Sequence, residues 1–437
     1  MKADVAVAEN TGVRSAQPVS QLVVSWVLMI PLMYYAGGFW VRNARGNNEL
    51  GSFGSLANAP QTAEDLVTPA VVLAIVLVLL FPKLRAVVHD CANQVVFAAL
   101  AALSVLSCLW SQSPFSSLEY SVSLAINTCF AFYLYRRFDP ERLKRLLLML
   151  GWICLLLSII LALFFPQYGV SGSIHAGAWQ GVYIQKNGCS EMTVLLLSVA
   201  FFIPSVTLLS RLSRAVYICL SAFLILMTQS ATGKIALASL LAFVIAMQMI
   251  KRFSSKDRIA VGLLGVTIGS ALFVAGSFYW IEIATLLGKD PTLSGRTGIW
   301  KEAMSSVMKH PFLGYGYHAF WEGLQGESAN VVLASHWAVS GAHNGCLELW
   351  LELGMAGLGL FLYSAVRAFR DTLFCLRGGK SPHFAWYACV VFLIIVMSID
   401  ESIGIAAANN LAWIMFIVAC IGLSAEARRI RSAAYHG

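Results

Sequence analysis

Two short runs of this 437-residue sequence carry residue types suited to group transfer. The first, A-H-N-G-C-L-E-L-W-L-E-L-G-M-A-G from Ala342, puts His343 where a loop turns into an apolar helix. A helix N-terminus is a poor place for a second positive charge. An imidazole there is suited to take a proton as a general base. Asn344, next to it, can cap the helix or hold a substrate hydroxyl. The second run is Ser294-Gly295-Arg296, ahead of an amphipathic stretch. The glycine sets an arginine fork beside free backbone N–H groups that already favour an anion, and guanidinium binds phosphate oxygens bidentately. Both runs have plainer readings. His343 can be a capping or interfacial residue, and Arg296 can pair with a nearby acid or snorkel to lipid headgroups.

Other polar residues nearby are read in the same way. Glu348 and Glu352 stand four apart on one helix face inside an apolar run, which is costly unless they are paired or wet. Partnership with basic residues within the bundle is expected for them. Gly354, Gly357 and Gly359 read as close helix packing. His318 and His336 are weaker candidates for chemistry. Their aromatic surroundings, Tyr315, Tyr317, Trp321 and Trp337, can stack on sugars or sit at a membrane interface.

The elements that must hold these residues are membrane helices. Apolar residues make up 58% of the chain and charged ones only 12%, and the mean hydropathy is +0.73. Soluble domains carry about twice that charge. Soluble enzymes, disordered chains and nucleic-acid modules are thereby excluded. The ten cysteines are scattered, with no C-x-x-C pair, so neither a disulfide framework nor a cysteine metal site is expected. The fold predicted is an all-α polytopic membrane protein. Apolar runs near 21–41, 67–82, 94–110, 118–135, 146–165, 190–209, 215–229, 234–250, 259–280, 346–366, 384–399 and 404–423 suggest about 12 crossings. The chain then divides into a disordered cytoplasmic tail (1–20), nine helices (21–280), a large outward loop (281–345), three helices (346–423) and a second cytoplasmic tail (424–437).

Charge sorts the two sides. With both termini inside, only eight of the 30 Lys and Arg face out: Arg42, Arg45, Lys186, Lys234, Lys289, Arg296, Lys301 and Lys309. The remainder fall on inward segments, as the positive-inside rule requires. The outward side also holds the three long loops, 42–66, 166–189 and 281–345, and five of the eight histidines. Within the largest loop, Ile299, Trp300, Ala303, Met304, Val307 and Met308 line one face of a helix over 299–309. Thr297 is its expected N-cap, and Pro311, Gly314 and Gly316 end it. Such a helix would lie in the interface and roof the spans below.

The order S-G-R-T-G-I-W, H-P-F-L-G-Y-G, then His343-Asn344 with Gly354 and Gly357 resembles the O-antigen ligase and polymerase family of bacterial envelope glycosyltransferases. The similarity runs from about residue 180 to 365. Y-I-Q-K-N-G (Tyr183 to Gly188) and S-A-T-G-K (Ser230 to Lys234) look like the exopolysaccharide-polymerase branch, although Lys234 stands where many relatives carry Arg. The resemblance implies a GT-C-like, metal-independent enzyme of the inner membrane, with a large periplasmic loop containing an amphipathic helix. It would move a glycan from undecaprenyl diphosphate to an acceptor hydroxyl, on another glycan or a lipid A core, on the periplasmic face. His343 would be the base, and Arg296 with Arg45, Lys186 and Lys234 would hold the diphosphate, while Asn344 and His318 would contact substrate. In-line attack from the opposite face would invert the anomeric centre. No cofactor is called for, since no carboxylates at metal-ligand spacing face outward. The bilayer and polysaccharide-export components are the expected partners, and nucleic acid is not. Polymerase is slightly preferred to ligase. The rival class is a twelve-helix secondary transporter, against which stand a late, single large outward loop and the lack of a half-to-half repeat.

Overall fold

The computed structural model describes residues 18–37, 63–250 apart from 173–174, scattered positions between 252 and 265, and 295–435 apart from 336–338, 379–382 and 408–409. Arg45, Ser294, His336, Trp337 and nearly all of the expected span at 259–280 lie outside the described residues. The helices are α1 (Pro18–Gly37), α2 (Ala63–Leu80), α3 (Leu84–Asn93), α4 (Val95–Leu106), α5 (Pro114–Arg137), α6 (Pro140–Phe164) and α7 (Lys186–Phe202). They continue as α8 (Leu208–Met227), α9 (Ala231–Ile250), α10 (Arg296–Lys309), α11 (Ser328–Ser335), α12 (Gly345–Gly378), α13 (Phe384–Asp400) and α14 (Leu411–Tyr435).

This is an all-α polytopic membrane protein. Among the described residues six helices are long and apolar enough to cross a bilayer, and the shorter apolar segments Val23–Gly37, Val95–Leu109 and Phe384–Asp400 accompany them. The starts follow local chemistry. Asp139 caps α6 by accepting from the backbone N–H groups of Glu141 and Arg142, with Pro140 in the first turn. Thr207 and Ser210 form a reciprocal capping box at the head of α8. Burial distinguishes the positions. The apolar window of α14 is 83% buried and those of the first span, from Val67, and of α8 only 22%, so α14 is the central post and the others face lipid. Around α14, Trp413 and Phe416 pack with Phe97 of α4 and Phe361 of α12.

Helix ends differ from the apolar runs in informative ways. α14 starts at Leu411, after a short turn at Gly404–Ala406, and runs on through the basic segment to Tyr435. α12 extends to Gly378 and is broken at Gly354, whose φ of 64° and ψ of −166° suit only glycine. The segment following α10 fills the break. Met355 and Ala356 donate to the carbonyls of Pro311 and Phe312, while Tyr315 and Gly316 donate to those of Leu351 and Glu352. A Cβ on Gly354 would collide with the Phe312 carbonyl. The H-P-F-L-G-Y-G run and Gly354 thus form one joint rather than two separate features.

Candidate functional site

α10 begins earlier than its apolar face suggests, at Arg296, with Gly295 (φ 86°) rather than Thr297 at the cap. Ile299, Ala303 and Val307 are buried, whereas Met304 and Met308 are exposed. The buried face joins Phe320, Val331, Leu347 and Leu351 in a satellite core over α12. That packing fixes two side chains of the first turns, Arg296 and Trp300.

Arg296 reaches the end of α13. Its Nη1 donates to the Asp400 carboxylate and, at 2.5 Å, to the Asp400 carbonyl, and its Nη2 donates to Glu401 Oε1 at 2.6 Å. The other oxygen of Glu401, Oε2, stands 2.9 Å from His343 Nδ1. An ionised carboxylate only accepts, so Nδ1 carries the hydrogen and the proton-accepting role falls to Nε2. Three further residues complete the network. Asn187 Nδ2 donates to Glu401 Oε1 at 2.6 Å, Ser230 Oγ donates to Asn187 Oδ1 at 2.8 Å, and the Thr232 hydroxyl donates to Asp400 Oδ2. The Y-I-Q-K-N-G and S-A-T-G-K stretches therefore meet on the acidic pair.

Burial raises the Glu401 carboxyl, but hydrogen bonding to His343 and the charges of His343 and Arg296 outweigh it and hold the group below its ordinary value. The Lys186 ammonium is pushed down, first by burial and then by repulsion from Lys234 and Arg296, which places both of those cations within electrostatic reach of Lys186. Each of the three sits in the first turn of a helix, α7, α9 and α10 respectively. An anion is favoured there by both side chains and backbone N–H groups.

The remaining predicted residues fall differently. Asn344 is the α12 cap: its Oδ1 accepts from Leu347 N at 2.9 Å and its Nδ2 donates to the Ile399 carbonyl at 3.1 Å. Both polar ends of its side chain are committed to the protein. His318 stacks on Tyr120, with ring centres 4.6 Å apart, and its Nδ1 is 3.9 Å from Glu352. Glu348 does not pair with a basic residue as expected. It accepts from Trp321, Ala342 N and Ser402.

Sequence reasoning missed Asp400 and Glu401. They follow an apolar run, and nothing in their spacing ties them to His343, 58 residues upstream. Glu191 is an acid in the apolar run of α7. It is buried within reach of Asp400, Glu401 and Arg296.

Residues 215–362 match the family model described as O-antigen ligase. That segment holds Lys234, Arg296 and His343. Lys186 precedes it and the acidic pair lies beyond its end. Over that third of its length the chain is thus similar to the O-antigen ligase family, and no finding supports a transporter. Among individual proteins it is 26% identical over 297 residues to the exopolysaccharide production protein ExoQ of Rhizobium meliloti (strain 1021). The match covers 65% of this chain and 66% of ExoQ, just under two thirds of that protein's length.

Proposed function

We propose that the protein is a glycosyltransferase of surface-polysaccharide synthesis in the bacterial inner membrane. It moves a glycan from undecaprenyl diphosphate to an acceptor hydroxyl at the periplasmic face. The observation that carries this reading is the Arg296–Glu401–His343 chain beside the two lysines. Glu401 fixes the His343 ring, so Nε2 takes the acceptor proton as the acceptor oxygen attacks the anomeric carbon. A new C–O bond forms, the bond to diphosphate breaks, and its electron pair leaves on the phosphate oxygen. Attack opposite the leaving group inverts the centre.

Asp400 and Glu401 take three N–H bonds from Arg296, leaving two of its five for a phosphate oxygen. Most of the positive charge facing the diphosphate therefore comes from Lys186 and Lys234. Neither makes an ion pair among the described residues. These cations stabilise the departing charge in the role that a divalent metal fills elsewhere. Asn344 is a cap in this scheme, not a substrate contact. The Q-K-N segment, Gln185 to Asn187, which looks like the exopolysaccharide-polymerase branch, favours polymerisation, with another lipid-linked repeat as acceptor.

The test uses purified protein in lipid nanodiscs with a lipid-linked repeat, scoring longer glycans and released undecaprenyl diphosphate. His343→Ala should abolish both at wild-type protein levels. Full turnover by that variant refutes the base. In cells, a deletion strain should lack polymer, whereas polymer made but left unattached would point to ligase instead.

A further inference from the structure

We infer that Glu348 is a positioning residue that sets His343 in register with Glu401. This rests on the base assignment above and goes beyond it. Glu348 lies in the first turn of α12 and is 3% exposed. Its carboxylate collects donors from three separate segments: the Trp321 indole N–H, the Ala342 backbone N–H at 2.5 Å and the Ser402 hydroxyl at 3.0 Å. Ala342 immediately precedes His343, and Ser402 immediately follows Glu401. One side chain therefore clasps the strand of chain leading into the base and the one leaving its carboxylate partner.

The clasp answers a conformational need. His343 has a φ of 48°, in the left-handed region that L side chains rarely adopt. Such a backbone persists only where neighbours over-determine it. The preceding residue is gripped on both sides, since Trp300 Nε1 donates to the Ala342 carbonyl at 2.8 Å while Glu348 takes its N–H. On the other side, Glu348 N donates to the Asn344 carbonyl at 2.8 Å. Trp300 is one turn along α10 from Arg296, so the same helix supplies the cation and half of the grip. Only a carboxylate suits the position. Both oxygens face donors, and a glutamine in either orientation aims its NH₂ at the Trp321 or the Ala342 N–H.

The experiment compares Glu348→Gln, Trp300→Phe, Ser402→Ala and His343→Ala in nanodiscs, measuring kcat, donor KM and melting temperature. Displacing a base by about 1 Å costs about a hundredfold. We expect a kcat loss of that order for Glu348→Gln, with donor KM unchanged because Lys186 and Lys234 are untouched. Trp300→Phe and Ser402→Ala should lose less kcat, again at constant KM and with near-wild-type melting. Wild-type kcat in Glu348→Gln overturns the inference. So does a loss of activity that merely follows the fraction of folded protein. If Glu348→Gln fails to fold, the other two variants decide, and normal kcat in both overturns it. An active His343→Ala would instead remove the base assignment. An inactive one beside a normal Glu348→Gln removes the positioning role alone.

Discussion

Replacing Glu401 by glutamine tests the site through a single proton. The side chain keeps its size, and Arg296 Nη2 and Asn187 Nδ2, both donors at 2.6 Å from Oε1, orient the amide oxygen towards themselves. The NH₂ then faces His343 Nδ1, where wild-type protein has a carboxylate oxygen at 2.9 Å. Two donors cannot share that contact. His343 must present Nδ1 as acceptor and place its hydrogen on Nε2, the atom meant to take the acceptor proton. The same acid-to-amide exchange in Ser-His-Asp enzymes costs about 10⁴ in kcat. General-base catalysis supplies about 10²–10⁴ in rate, which sets the ceiling here because diphosphate already leaves readily. The expected fall in kcat is therefore about 10²–10⁴, or about 3–5 kcal/mol of transition-state stabilisation. Donor KM should change little, since the lysines are not involved. The assay is release of undecaprenyl diphosphate from lipid-linked repeat in nanodiscs, run beside a melting curve. A well-folded Glu401→Gln protein with wild-type kcat refutes the assignment of Nδ1–H to Glu401 and of proton transfer to Nε2.

Three other outcomes follow from particular contacts. Because the Lys186 amine is pushed down by burial and by Lys234 and Arg296, it should acylate faster than an exposed lysine at mildly alkaline pH. Inorganic pyrophosphate should protect it, and Lys234→Ala should slow the acylation; mass spectrometry of labelled peptides reads both. Since Glu401 sits below its ordinary value of 4.5 in the folded protein, its ionisation stabilises the fold above that value. The contribution drains as pH falls from 4.5 through the lowered value, so the melting-temperature gap between wild type and Glu401→Gln should shrink below pH 4.5. Finally, Gly354→Ala forces a side chain into a glycine-only conformation worth about 1–3 kcal/mol, with the Phe312 clash added. It should melt well below wild type, while Gly359→Ala, with open space around its Cβ position, should not.

The helices were legible because the bilayer imposes length and composition on them, and those are properties of contiguous sequence. His343 and Arg296 were legible for a related reason. Each stands beside a local signal, a helix start or a glycine, that gives its chemistry a context. Asp400 and Glu401 have no such context. They follow the apolar run of α13, where a charge reads as a span boundary. Their meaning comes from helix order: α13 must pack beside α7 and α9 before Asn187 and Thr232 can reach them, and α10 must start beside its end before Arg296 can. The same packing alters Arg296. An arginine judged from its own helix start has five donors for a phosphate, but beside two carboxylates it has two. Adding the fixed charges of Lys186, Lys234 and Arg296 to those of Asp400 and Glu401 leaves a net of one positive. That is less than a diphosphate carries, so donor binding must draw on helix N-termini as well as side chains. Neutralising Lys186 or Lys234 should therefore weaken donor binding more than losing Arg296 does, while losing Arg296 should weaken kcat more. The opposite split would return the diphosphate to Arg296 and leave the acidic pair with only a structural part.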